Sequence, residues 1–452
     1  MQLVGKHIHF MGIGGIGVSA LAEMAQAAGA RVSGCDKADC GMTRRLAGKG
    51  IELLLGHDPR HVGDADLLVY SSAIPADHPE RIAAGEKQEK RGRFLSRFME
   101  NRQAVGISGT HGKTTTSWLL GHILIHAGMD PQLFIGGVVP TLPEGNYRLG
   151  DGPFVAELDE SDASFLEPSL TLAAITNIES DHLSHYRNDK ALFNAFRQFA
   201  AGVEDSGLLV AGTDSPVSRE LLLGHTGRKL SFGLEEPADV WAECLRHEDG
   251  MNRFRVVAGG ADCGVFALPL PGRHNVQNAL AALALAFELG VDVETARSAL
   301  ATACSVGRRL ERLGTVQGAV LYSDYAHHPT EVAAAVAALK QCHCGPLLVV
   351  FQPHLYSRTR DYAAAFGKAL AGADASLVVD VYPAREEPIP GVDSGLLVDA
   401  ARKENGTVYG PTSLAAAVVE AERLAGDFEA VVFMGAGDID AAARTLVAEN
   451  GA

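Results

Sequence analysis

The chain is predicted to be an α/β protein of three domains, each built on a largely parallel sheet. Three observations predict this. Its 452 residues are too many for one ordinary core and suit two or three. Short apolar runs alternate with helical patterns almost throughout, the order that βαβ units produce. Two glycine loops each stand between a strand and a helix, where a parallel sheet meets its ligands.

The first domain, 1–99, opens with a strand at 7–11, turns through glycines and enters a helix over 16–28. Further strands fall at 31–34 and 67–70, and a polar, charged stretch at 97–102 closes it. The second, 100–313, begins with a strand at 104–107 and a helix over 113–127, then strands at 154–156 and 172–176. Glycine and aspartate are frequent at 245–264, which reads as hairpins. An Ala/Leu-rich helix covers 275–289, and a boundary falls near Arg312-Leu313-Gly314. The third, 314–452, has strands near 319–323, 347–351, 376–381 and 430–434, with helices between.

Apolar residues make up 47% and charged residues 21%, the balance of a soluble globular protein. Formal net charge is −16 with no dense Lys/Arg block, which disfavours nucleic acid and anionic membrane surfaces. Small anions remain open, because oriented backbone amides hold them without net positive charge. No apolar run reaches the roughly 20 residues of a membrane span. The start reads as a strand rather than a signal peptide, so a cytoplasmic protein is expected. The seven cysteines are odd in number and mostly far apart, which favours reduced thiols. Cys342-His343-Cys344 is their one cluster and lacks the further ligands of a structural zinc site.

Gly12-Ile13-Gly14-Gly15-Ile16-Gly17 matches G-x-G-x-x-G after a strand and before a helix. Gly12, Gly14, Gly15 and Gly17 allow a tight turn and close approach of amides to a diphosphate. Asp36 stands near where a ribose-binding acid would. The motif does not identify the nucleotide, since NAD and a UDP-sugar offer the same diphosphate. A glycine turn that only packs a helix is the plainer alternative.

The second loop, Gly109-Thr110-His111-Gly112-Lys113-Thr114-Thr115-Thr116, ends in Gly-Lys-Thr. It departs from the standard phosphate loop because Ile107 occupies the first glycine's place. Its amides would cradle phosphates, Lys113 would neutralise β/γ oxygens, and a threonine hydroxyl would reach Mg²⁺. Downstream, Glu157-Leu158-Asp159-Glu160-Ser161-Asp162 and Thr176-Asn177-Ile178-Glu179-Ser180-Asp181-His182 both begin at strand ends. Carboxylates there suit a hard cation; helix capping and solvated charge are the alternative. For His182, ligand and structural roles stand level. A dehydrogenase needs one such loop and an ATPase needs no dinucleotide-type fold ahead of it. An enzyme coupling ATP cleavage to a nucleotide-linked substrate needs both.

In this order the motifs resemble the Mur ligase family nearly end to end. To the two loops and acidic runs are added Ser71-Ser72-Ala73-Ile74, Pro271-Gly272-Arg273-His274-Asn275 and Asp324-Tyr325-Ala326-His327-His328-Pro329-Thr330-Glu331. Phe351-Gln352-Pro353-His354 and Met434-Gly435-Ala436-Gly437-Asp438 complete the set. The resemblance implies a Rossmann-like UDP-sugar domain, a P-loop-type ATP domain and a Rossmann-like amino-acid domain. It also implies the branch joining L-alanine to UDP-N-acetylmuramate through an acyl phosphate, with ATP and Mg²⁺. A relative that attaches a recycled tripeptide is the nearest alternative. Oligomeric state, monomer or dimer, stays open.

By motif position, Gly12, Gly14, Gly15, Gly17, Asp36, Ser71 and Ser72 resemble the UDP-sugar site. Gly109–Thr115 resemble the ATP cradle, with His274, Asn275 and Asn278 toward adenine and Asp324 toward ribose. Capping is the rival reading of the two asparagines. Thr114, Glu157 and His182 resemble the metal ligands. Lys113, His182, Arg308 and His327 resemble the catalytic set, with Arg309 as the neighbouring candidate. Tyr325, His327 and Arg358 resemble the amino-acid pocket, where Arg358 suits a carboxylate and Arg360 stands nearby. The sequence departs from the family at Cys35 and Ser184, where relatives often carry serine and aspartate, and at Leu355, where some relatives carry an arginine. Phe196 falls where other branches carry a modified lysine.

Overall fold

The computed structural model describes residues 3–181, 183–234, 238–384, 386–404 and 406–450, with 183 and 184 described by their backbone alone. Two compact units result. One comprises Met1–Glu243, Arg255–Gly264 and Gln277–Leu300; the other comprises Cys244–Phe254, Val265–Val276 and Ala301–Ala452.

The leading sheet has five strands, β1 (His7–Met11), β2 (Arg31–Asp36), β3 (Glu52–Leu55), β4 (Leu67–Tyr70) and β5 (Gln88–Lys90). Their order is β3-β2-β1-β4-β5, and every pair is parallel. Strand order reverses beside β1, which is where open α/β sheets bind ligands. The stretch 97–102, expected as a polar closure, begins inside the helix Arg91–Met99. Phe94, Leu95 and Met99 recur at helical spacing and are buried, so packing of one face overrides the charges.

The second sheet has ten strands. They are β6 (Ala104–Ser108), β7 (Gln132–Phe134), β8 (Tyr147–Arg148), β9 (Phe154–Glu157), β10 (Leu170–Ile175), β11 (Val203–Gly212), β12 (Arg228–Gly233), β13 (Val240–Glu248), β14 (Met251–Ala258) and β15 (Ala261–Leu268). The order β15-β14-β13-β12-β11-β10-β6-β9-β7-β8 puts β6 in the interior, parallel to both neighbours. A continuous core joins the leading sheet to this one, from Phe10 and Phe94 to Phe154, Phe165, Phe196 and Phe199. Phe165 and Phe199 stack at 5.1 Å, and Phe196 meets Phe165 edge-on. The side chain at 196 is thus core.

The third sheet consists of β16 (Glu311–Val316), β17 (Ala319–Asp324), β18 (Leu347–Phe351), β19 (Ala375–Val379), β20 (Val408–Thr412) and β21 (Ala430–Met434). Its order is β16-β17-β21-β18-β19-β20, with β16 antiparallel to β17 and the other four pairs parallel. Arg312, Leu313 and Gly314 lie inside β16. Along β18, Leu347, Val349 and Phe351 enter one core and Leu348 and Val350 another. Both faces are covered, and so the strand reads as an unbroken apolar run.

Candidate active site

Gly12, Gly14 and Gly15 leave the end of β1 in a tight turn. Gly12 has φ +71, and its amide and that of Ile13 donate to Cys35 O at 2.9 and 3.1 Å. Asp36 does local work, accepting the Gly14 amide on Oδ2 at 2.8 Å. Gly15 caps the helix Ile16–Ala27 with no side-chain hydrogen bond, the kind of helix start whose end amides can meet an anion. Ser71 directly follows β4, and a methyl on Gly12 would lie 3.6 Å from its Cβ. The predicted sugar-nucleotide residues Gly12, Gly14, Asp36 and Ser71 therefore share one sheet edge; Ser72 follows in the same turn.

Sequence reasoning passed over Arg91. Its guanidinium packs against Gly17, where a methyl would fall 2.7 Å from Nη1, and donates to Asp159 Oδ2 at 3.3 Å. It thereby connects the first glycine loop to the acidic run after β9. Its only sequence signal was an arginine at a helix start.

The second loop leaves β6 and enters the helix Lys113–His126. Gly109 (φ +133) and Gly112 (φ +84) adopt conformations that L side chains rarely take. Methyls there would collide with Thr176 Oγ1 and Asn278 Oδ1. Asn278 thus approaches the loop backbone directly. The loop is strapped to the end of β10. Thr110 N donates to Asn177 O at 3.0 Å, His111 N to Asn177 Oδ1 at 2.9 Å, and Glu179 N to Thr110 Oγ1 at 2.9 Å. Asn177 was visible only as part of a motif; its clamping role was not.

Lys113 Nζ lies 2.8 Å from Glu160 Oε2 and donates to Gly109 O at 2.5 Å. Burial pulls the ammonium pKa down, but the charges of Glu160 and Asp159 outweigh it and the net shift is upward. Lys113 is therefore a fixed cation. Thr114 Oγ1 donates to Glu157 Oε1 at 3.0 Å, and Gly136 N holds Oε2 at 2.7 Å. A hydroxyl and a carboxylate so close are hard oxygen donors and fit Mg²⁺. Thr115 follows, buried in the helix. His182, expected as a metal ligand, lies outside the described residues.

The second unit holds the remaining candidates. His274 and Asn275 open the helix Arg273–Glu288, and Asn275 Nδ2 donates to Pro271 O at 2.7 Å. Arg308 adopts φ +59, donates to Gly435 O at 2.7 Å and lies over the Tyr325 ring at 4.6 Å. Arg309 lies over the same ring at 5.4 Å. Asp324 is buried, and its two oxygens accept from Leu310 N and Ala326 N, each at 2.7 Å. Burial raises its carboxyl to about 6.

Tyr325, His327 and Arg358 come together through His354. The His327 ring meets Tyr325 at 5.2 Å and His354 at 5.9 Å, and Arg358 Nη1 is 3.3 Å from His354 Nδ1. Tyr382 stacks on His354 and was not foreseen, its position in the chain carrying no motif. Arg358 is 7% exposed, whereas Arg360 pairs outward with Asp361. Burial separates the two arginines that sequence left side by side.

Family models match three successive segments: "Mur ligase family, catalytic domain" over 7–103, "Mur ligase middle domain" over 153–286 and "Mur ligase, glutamate ligase domain" over 308–437. The chain belongs to the Mur ligase family. This Mur ligase is 41% identical to a UDP-N-acetylmuramate–L-alanine ligase of Chromobacterium violaceum, with 99% of each chain covered. It is 42% identical to the ligase of the same name from Kineococcus radiotolerans, covering 96% of this chain and 93% of the relative. Among solved structures, the UDP-N-acetylmuramate–alanine ligase of Thermotoga maritima superposes with a TM-score of 0.84 at 29% identity, with 98% of both chains covered. A murein peptide ligase from Psychrobacter arcticus matches with a TM-score of 0.73 at 24% identity, covering 98% of each chain, which is a likeness of fold. No helix among the described residues is long and apolar enough to cross a membrane.

Proposed function

We infer that this Mur ligase joins L-alanine to the carboxylate of UDP-N-acetylmuramate, with cleavage of ATP to ADP and phosphate. The full-length identity to ligases of that name supports the substrates. The observation that carries the chemistry is the second loop, where Lys113 and Thr114 start the helix after β6 and Thr114 meets Glu157, the end of neighbouring β9, at 3.0 Å.

Joining a carboxylate to an amine requires removing a carboxylate oxygen. The muramic carboxylate attacks the γ-phosphorus, the bond to the β,γ-bridging oxygen breaks, and ADP leaves. The alanine amine then attacks the acyl carbon. Phosphate departs with the former carboxylate oxygen, and the amine's proton goes to a base. Attack on a polyanion is opposed by charge repulsion, so catalysis rests on positioning and electrostatics. Gly109–Thr115 orient the triphosphate, with Asn278 beside the loop and His274, Asn275 and Asp324 assigned to the nucleoside. Lys113 and Arg308 neutralise transferring charge. Thr114, Glu157 and His182 would hold Mg²⁺, which supplies further charge neutralisation when bound. Tyr325, His327 and Arg358 receive the amino acid, the guanidinium pairing with its carboxylate. Gly12, Gly14, Gly15, Gly17, Asp36, Ser71 and Ser72 hold the UDP-sugar. Cytoplasmic location and indifference to nucleic acid belong to this reading.

The test is ADP release with UDP-N-acetylmuramate while the amine is varied among L-alanine, glycine, L-serine and the murein tripeptide. Release that needs Mg²⁺ and both co-substrates, fastest with L-alanine, is expected. Release fastest with tripeptide would move the chain to the peptide-recycling branch.

A further inference from the structure

A cluster of metal-ligating side chains lies in the leading sheet, beside the first glycine loop, whose Gly12 amide donates to Cys35 O. His9 comes from β1, Cys35 from β2, His57 from the turn after β3, His61 from the short helix Pro59–His61 and Glu80 from the helix Pro79–Ala84. His9, Cys35 and Glu80 are 0% exposed. Cys35 Sγ, His57 Nδ1 and Glu80 Oε2 form a triangle with sides of 3.2, 3.3 and 3.4 Å. Metal–ligand bonds of 2.0–2.3 Å in a tetrahedron give edges of about 3.3–3.8 Å. A ligand atom of His9 lies within 4.8 Å of those of Cys35 and Glu80. The other Glu80 oxygen accepts from Asp58 N at 2.7 Å and meets His61 Nδ1 at 2.9 Å, the kind of outer hydrogen bonding that orients a carboxylate ligand.

A purely hydrogen-bonded network around Glu80 accounts for part of this. It leaves His9 Nε2 fully buried without a hydrogen-bond partner, while Nδ1 meets Ser33 Oγ at 2.8 Å. With Nδ1 turned to the Ser33 hydroxyl, a neutral ring that carries its proton there leaves the Nε2 lone pair for a ligand bond. Buried polar atoms are nearly always paired.

We propose that Cys35, His57, Glu80 and His9 form a binding site for one borderline divalent cation, of which Zn²⁺ is the type. Sulfur and imidazole donors select against Mg²⁺. The thiol proton passes to solvent as the ion enters, and His9 closes in to complete a tetrahedron. The ion would clamp the ends of β1 and β2, which lead into Gly12 and Asp36. This site is independent of the ligase reading.

The full chain, stripped with chelator, is titrated with Co²⁺ in excess Mg²⁺. One equivalent is expected, with a thiolate-to-cobalt charge-transfer band and intense visible bands of a tetrahedral ion. Zn²⁺ should displace it and raise the unfolding midpoint. Cys35→Ser should abolish the charge-transfer band while Cys342→Ser keeps it. If Cys35→Ser does not fold, His57→Gln should weaken Co²⁺ retention at least tenfold. A cobalt spectrum without the thiolate band, a band that survives in Cys35→Ser, or unchanged retention in His57→Gln overturns the site.

Discussion

The Thr114 hydroxyl donates to Glu157 Oε1 across 3.0 Å, joining the first turn of the phosphate-loop helix to the end of β9. The Gly136 amide fixes the second carboxylate oxygen at 2.7 Å. A cation that replaces the hydroxyl proton's contact finds both oxygens already placed. Glu157→Gln should therefore reduce kcat by about 10²-fold, in the range seen when one electrostatic partner of a transition state is lost. It should also raise the Mg²⁺ concentration for half-maximal rate. Initial rates across a Mg²⁺ series read both, and an unshifted Mg²⁺ dependence contradicts the assignment.

Lys113 and Glu160 form a second coupled pair, 2.8 Å apart with Glu160 1% exposed. Lys113→Ala should remove most turnover, but it also strands a buried carboxylate, which costs about 3–5 kcal/mol. Adding Glu160→Gln should restore much of the unfolding midpoint without restoring ADP release. Recovery of turnover in the double variant would argue that Lys113 serves the fold rather than the phosphates.

Arg358 should behave as a carboxylate receptor. Lysine keeps the charge and loses the planar fork, so Arg358→Lys is expected to raise KM for L-alanine roughly ten- to a hundredfold. KM for ATP should change little. Equal changes in both constants would point to a structural role.

Asp324 gives a pH signature. Its folded pKa, about 6, lies above the value near 3.9 of an unfolded aspartate. Between those values the folded chain binds the extra proton, so this group lowers stability as pH rises, by at most about 3 kcal/mol. The midpoint of Asp324→Asn minus that of the wild type should thus increase from pH 4 to 6 and then level off. A difference flat across that window contradicts the buried, raised carboxyl.

Much of the architecture was legible because parallel strands buried on both faces are continuous apolar runs, as Leu347–Phe351 and Ala430–Met434 show. Short edge strands such as Gln88–Lys90 and Tyr147–Arg148 carry no such run and were passed over. The two glycine loops were legible because their backbone conformations demand glycine. Arg91, Asn177, His354 and Tyr382 were not singled out, since what defines them is contact with residues distant in sequence. Cys35 was noticed only as a departure from relatives. Its neighbours His57 and Glu80 arrive from separate crossovers, and only folding brings the three within 3.4 Å.

The most direct measurement of the central claim follows a single oxygen. UDP-N-acetylmuramate carrying a heavy-oxygen label in its carboxylate is turned over with ATP, Mg²⁺ and L-alanine, and the released phosphate is weighed by mass spectrometry. Transfer of one labelled oxygen to phosphate for each peptide bond formed is predicted. Unlabelled phosphate accompanying product would contradict activation of the carboxylate by the γ-phosphoryl group.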